Sequence, residues 1–122
     1  MKRLPEAEFE IMKIVWASDP PITTSLVMRQ LGDKKTWKIQ TVVSLMQRLV
    51  ERGFLCSEKQ GKERAYYPII DRDDYLRFET RYFMRKYHKN SFLSLVNTLY
   101  EYENISDEEF EALLQWLKDR RG

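Results

Sequence analysis

Residues 37–53, WKIQTVVSLMQRLVERG, constrain the fold more than any other stretch, because a strongly patterned helix runs straight into a hairpin. Ile39, Val42, Met46, Leu49 and Val50 recur at helical spacing and form one apolar stripe, with Val43 and Leu45 at its edges. Gly53 is the stop, at the position where a helix turns into the left-handed region. The next residues, FLCSEKQGKERAYYPI, read as two strands around a charged tip, with Gly61 supplying the turn. Pro68 suits a sheet edge, and Tyr66 and Tyr67 point to opposite faces, one of them into the core.

The polar face of this helix has an unusual composition. It carries Gln40, Thr41, Ser44, Gln47, Arg48 and Glu51, where a solvated helix carries mixed Lys and Glu. Amides and hydroxyls hydrogen-bond base edges, and small side chains admit close approach to a groove floor. Gln40, Thr41 and Ser44 are therefore the candidate base readers.

Two helices precede it. Residues 4–18 carry Pro5 and Glu6, Glu8 and Glu10 at their start, then Ile11, Met12, Val15 and Trp16 on one side. Asp19-Pro20-Pro21 ends that helix. Residues 24–31 form the second, capped by Thr23 or Thr24, with Leu26, Val27 and Leu31 inward and Gly32 closing it. Asp33-Lys34-Lys35-Thr36 is a polar turn. The order is that of a helix-turn-helix followed by a wing. A basic hairpin beside a recognition helix lays its tip along the phosphate backbone, which makes Lys38, Arg48, Lys59, Lys62 and Arg64 the candidate backbone contacts.

Charge supports a polyanionic partner. The net charge is only +2, yet from Lys34 to Arg64 eight basic residues (Lys34, Lys35, Lys38, Arg48, Arg52, Lys59, Lys62, Arg64) face three acidic ones (Glu51, Glu58, Glu63).

After residue 70 the pattern changes. Tyr75, Phe78, Tyr82, Phe83 and Tyr87 alternate with arginines and Lys86 up to a break at Asn90-Ser91. Phe92, Leu95, Val96, Leu99 and Tyr100 make a further apolar stripe. Ser106-Asp107-Glu108-Glu109 is a capping box that opens a last helix with Phe110, Leu113, Leu114 and Leu117. This is more apolar face than one short segment buries on itself, so a second copy is expected to cover it. Tyr75, Phe78, Tyr82, Phe92, Leu95, Leu99, Phe110, Leu113, Leu114 and Leu117 are the candidate dimerisation residues. The expected fold is mainly α with a small β hairpin: a winged helix-turn-helix over 1–70 and a helical dimerisation domain over 71–122.

The sequence argues against an enzyme. No glycine-rich phosphate loop, nucleophile–base pair or H-x-x-x-H pattern occurs, and no cofactor is implied. Cys56 is the single cysteine, so neither an internal disulfide nor a Cys-based metal site can form; beside Phe54 and Leu55 it reads as a buried thiol. His88, the single histidine, lies near a helix end and reads as a surface residue. Asp71, Asp73 and Asp74 read as a helix start, and no metal site is expected. With no apolar run of ~18 residues and no N-terminal signal pattern, membrane insertion is not expected and a cytoplasmic location is.

Taken together, EAEFEIMKIVW, TWKIQTVVSLMQRLVERGF, KERAYYPI and FLSLVNTLYEYENISDEEFEALLQWL resemble the penicillinase repressor family, the BlaI/MecI-type regulators, over nearly the whole chain. The resemblance implies a homodimeric repressor on a palindromic operator. It also implies a membrane sensor protease as partner and relief by cleavage in the C-terminal domain. Thr41 and Ser44 match positions where the family sets small hydroxyl residues against DNA. Gln40 and Val43 depart from it: some members have a basic residue at the first and an arginine at the second. Their cleaved Asn–Phe bond falls here at about Thr98-Leu99, with Asn97 one residue off. The cysteine cluster of the copper-responsive branch is missing, which speaks against copper sensing.

Two other functions stay open on the residues alone. One is a repressor released by a small molecule in a pocket lined by the tyrosine-rich helix 75–87. The other is a winged helix serving as a protein-interaction adaptor without specific DNA binding.

Overall fold

The computed structural model describes residues 1–101 and 105–121. Tyr102, Glu103 and Asn104, within the tail segment that carries the resemblance, lie outside the described residues. The elements follow in the order α1 (Glu6–Trp16), α2 (Thr24–Leu31), α3 (Ile39–Glu51), β1 (Leu55–Gln60), β2 (Glu63–Pro68), α4 (Arg72–His88), α5 (Phe92–Glu101) and α6 (Asp107–Arg121). The fold is mainly helical with one small hairpin, as the sequence leads one to expect. It divides into two compact units, Met1–Glu79 and the residues from Thr80 on.

The first unit is a winged helix. Ile11, Met12 and Val15 of α1 meet Val27 and Leu31 of α2 and Val42, Leu45, Met46 and Leu49 of α3 in one core. Pro5 is the residue just before α1 rather than part of its first turn. Thr23, not Thr24, caps α2, its Oγ1 accepting the Leu26 N–H at 3.1 Å. In the linker before it, Ile22 exchanges two backbone hydrogen bonds with Tyr66, of 2.9 and 2.8 Å, an isolated antiparallel bridge that ties the linker to the hairpin.

The end of α3 sets the wing. Gly53 has φ +83, its N–H bonds Val50 O at 3.0 Å, and the Phe54 N–H bonds Leu49 O at 2.9 Å. That pair of bonds is a Schellman stop, and it turns the chain so that Phe54 and Leu55 enter the core. The hairpin closes through a two-residue turn at Gly61-Lys62, between Gln60 and Glu63. Gly61 has φ +62, and a II′ turn reserves this first position for glycine.

Ile39 was expected on the inward stripe of α3, yet it is 52% exposed, and Val43 is 44% exposed. The buried arc is centred between Val42, Leu45, Met46 and Leu49. Ile39 lies about 70° and Val43 about 110° around the helix from that centre, taking 3.6 residues per turn. Cys56, expected to be buried, is exposed, because it alternates with Leu55 and so points away from the core.

One ion pair locks α1 to the end of α3. Arg52 Nε donates to Glu8 Oε1 at 2.6 Å, and the Glu8 side chain is 1% exposed. Arg52 is thus committed to the protein rather than to a polyanion. Arg52→Ala leaves a buried carboxylate without its partner and is expected to cost about 3 kcal/mol, at the low end for a broken buried pair because the guanidinium is partly solvated. Urea unfolding of the variant against wild type checks this; a loss below about 1 kcal/mol would reduce the pair to a surface bridge.

The first unit extends past the boundary at residue 70 expected from the sequence. Asp71 Oδ1 accepts the Asp73 N–H at 2.9 Å, so the acidic run opens α4 as a cap. Tyr75, one turn in, is 2% exposed. Its ring lies 5.4–6.0 Å from those of Phe9, Trp16, Phe54 and Phe78. Its hydroxyl accepts the Leu4 N–H at 2.8 Å and donates to Glu79 Oε2 at 2.7 Å. Burial pushes the phenol pKa up to about 12, which keeps it a neutral donor.

The second unit has a different character. Lys89 and Asn90 adopt φ +49 and +61, reversing the chain after α4. Ser91 Oγ then accepts the Ser94 N–H at 3.1 Å, and Ser106 Oγ caps α6 by accepting the Glu109 N–H at 3.1 Å. The reversal brings Ser94 back over His88. His88 is therefore 8% exposed, with Nδ1 2.9 Å from Ser94 Oγ and its ring 5.2 Å from Phe83, and is not the surface residue expected. No residue of α5 or α6 is buried.

Candidate nucleic-acid interface

The exposed side of α3 follows from its stop and its core stripe. With Val42, Leu45, Met46 and Leu49 inward, Gln40, Thr41, Ser44, Gln47 and Arg48 all face solvent. Gln40, Thr41, Ser44, Leu45 and Arg48 border a shallow recess of about 300 Å³. The three candidate base readers and one candidate backbone contact are thus gathered at one place. Lys38 sits at the N-cap of α3 without a side-chain cap, and its carbonyl accepts the Thr41 and Val42 N–H groups at 3.0 and 3.2 Å. Lys35 lies 5.5 Å over the Trp37 ring just before it.

The wing sorts its charges by face. Lys59 and Arg64 are directly opposite across the two strands, on the face that carries Leu55 and Tyr66 nearer the core. Like charges at that spacing repel, a cost that an anionic phosphate would remove. Lys62 occupies the turn between them. Among the described residues Arg64 makes a weak contact to Ser57 Oγ, at 3.3 Å. The acidic residues lie on the other face and are engaged. Glu58 accepts from the Tyr67 hydroxyl at 2.9 Å and from Gln60 at 3.2 Å, and Glu63 accepts from Ser25 of α2 at 2.6 Å. The bond to Glu58 raises the Tyr67 pKa, so the phenol remains a donor. The outcome is a wing with a basic edge, although its sequence carries both signs.

Gln47, Ile39 and Val43 also stand on the exposed side of α3 and were not among the candidate site residues. Gln47 was visible as part of the polar face; Ile39 was hidden by its apolar character. Among the described residues no group of His, Cys, Asp and Glu is placed to hold a metal ion, and no helix is long and apolar enough to cross a membrane.

The second unit holds the remaining candidates. Phe92 and Leu114 are exposed, while Tyr82, Leu95, Leu99, Phe110, Leu113 and Leu117 are half-buried. Tyr75 and Phe78, which were expected among them, are taken up by the first unit's core. Leu93 and Trp116, not foreseen, are 68% and 50% exposed. Thr98 and Leu99 lie inside α5, where Thr98 Oγ1 donates to Ser94 O at 3.0 Å.

The sequence model of the penicillinase repressor family matches residues 4–119. The chain belongs to this family. The penicillinase repressor of Bacillus licheniformis is 31% identical over 125 residues, covering all of this chain and 97% of that protein. The methicillin resistance regulatory protein MecI of Staphylococcus aureus (strain N315) is 30% identical, over 88% of this chain and 86% of that one. Among solved structures, the DNA-binding domain of the repressor BlaI is similar with a TM-score of 0.52 and 35% identity, over 62% of this chain and 94% of that domain. Penicillinase repressors are regulators rather than enzymes.

Proposed function

We propose that this chain is a sequence-specific DNA-binding repressor that acts in the cytoplasm as a homodimer on paired half-sites. In this reading α3 enters the major groove, Gln40, Thr41 and Ser44 meet base edges, and Lys38, Arg48, Lys59, Lys62 and Arg64 hold phosphates. The observation that carries it is the sorted wing: Lys59 and Arg64 face each other on one face of the hairpin, while Glu58 and Glu63 are tied up on the opposite face. The second unit supports the dimer, because α5 and α6 bury none of their residues and leave Phe92, Leu93, Leu114 and Trp116 to be covered. The similarity to the BlaI DNA-binding domain points the same way.

The two classes of contact differ in their response to substitution. Arg48→Ala and Lys62→Ala are expected to weaken binding to operator and random duplexes alike, each lowering the slope of log affinity against log salt by about 1. Thr41→Val and Ser44→Ala are expected to act on the operator alone, by about 1–3 kcal/mol for each base pair affected. Anisotropy titrations over a salt series separate the two. Equal effects of all four on both duplexes would contradict this division of roles.

Relief by proteolysis at Thr98-Leu99 would require α5 to unwind locally, since the bond lies within the helix. Release by a small hydrophobic molecule is a second reading, favoured by one observation. A groove of about 580 Å³ runs between α1 and the start of α4, lined by Phe9, Trp16, Tyr75 and Leu76 with Lys13 and Arg72 at hand. A screen of hydrophobic effectors that never shifts operator affinity would remove it.

A further inference from the structure

We propose that Ile39 and Val43 read the 5-methyl groups of thymines in the operator's major groove. The inference rests on the DNA-binding reading above and adds a recognition chemistry to it. Ile39 is 52% and Val43 44% exposed, on the first two turns of α3, whereas Val42, Met46 and Leu49 of the same helix are fully buried. Four residues apart, the two are neighbours on the helix surface, about 5–6 Å between Cβ atoms. Around the helix they lie to one side of Gln47 and Gln40 and continue the same exposed arc.

A single exposed apolar side chain needs no explanation. Two adjacent β-branched ones beside the amides and hydroxyls of a recognition face do. The N-terminal half of such a helix is the part that reaches base edges. Neither side chain donates or accepts a hydrogen bond, so neither reads guanine O6/N7 or adenine N6/N7. The apolar group that the major groove displays is the thymine methyl. Both side chains are stiff at χ1 in a helix, so they meet a methyl group with little loss of rotamer freedom.

Deoxyuridine tests this directly, since it pairs as thymidine does and lacks only the methyl group. The operator is first defined by footprinting on the chain's own upstream DNA. Duplexes carrying deoxyuridine at one thymine at a time are then titrated with wild type, Ile39→Ala and Val43→Ala. Wild type is expected to lose about fourfold in affinity for each contacted methyl removed. Val43→Ala is expected to bind thymine and uracil duplexes equally at one position and Ile39→Ala at another, each staying sensitive where the other residue reads. Both positions are exposed and alanine favours helix, so the variants should melt as wild type does.

Operator preference without any uracil sensitivity would overturn the proposal and leave the repressor reading standing. So would uracil sensitivity that survives both substitutions, or substitutions that alter self-association and not DNA affinity. Loss of all preference over a scrambled duplex in wild type would overturn the repressor reading itself, and this inference with it.

Discussion

Tyr75→Ala is expected to destabilise the first unit by about 4 kcal/mol, a large share of the about 5–15 kcal/mol that holds a small domain folded. Three losses combine. The ring leaves a cavity between Phe9, Trp16, Phe54 and Phe78. The Leu4 N–H loses its acceptor, and Glu79 keeps Arg3 but loses the phenol. Tyr75→Phe keeps the ring and removes only the hydrogen bonds, so it should cost about 1–2 kcal/mol. The difference between the two variants in urea unfolding measures the packing part. Wild-type stability in both would place Tyr75 outside the core. Stability should also fall in alkali. The folded-state pKa is raised, to about 12, so the contribution is complete below pH about 10 and is lost as pH rises through the folded value. Tyr75→Phe should flatten that part of the profile.

The second large effect concerns the dimer. Phe92→Glu combined with Leu114→Glu places two charges at exposed positions of α5 and α6. Sedimentation is expected to show a monomer. Operator affinity should then drop about 10²- to 10⁴-fold, the gain that linking two half-site readers supplies. Affinity for an isolated half-site should stay as in wild type, since the first unit is untouched. A double variant that remains dimeric would move the interface elsewhere. One that becomes monomeric yet binds the full operator unchanged would remove the paired half-sites from the account.

Local features of the fold were legible in the residues. Gly53 after a patterned helix became the Schellman stop, Gly61 the first position of the hairpin turn, and Ser106 a helix cap. Each depends on a few neighbours, which is why spacing reveals them. The misjudged residues depend on partners far away in sequence. Tyr75 was expected at the dimer interface because its partner at Leu4 is 71 residues distant. His88 is buried by a reversal at Lys89-Asn90 that nothing apolar marks. Ile39 matched the apolar period but sits too far around α3 to reach the core. In the candidate site, composition identified the polar face and the basic tip. It did not show that the acids of the wing would segregate to the other face, since that needs the strand register of Lys59 against Arg64.

The central claim is that the polar recess of α3 and the basic edge of the wing form one specific DNA-reading surface. The most direct measurement is a titration of the full chain against its own upstream DNA and a scrambled duplex of equal length, at two salt concentrations. Its own DNA is expected to be preferred by about 10³-fold or more, with two protomers on each site and a preference that persists at the higher salt. Weak and equal binding to both duplexes, vanishing at higher salt, would contradict it, because only the phosphate attraction would then be present.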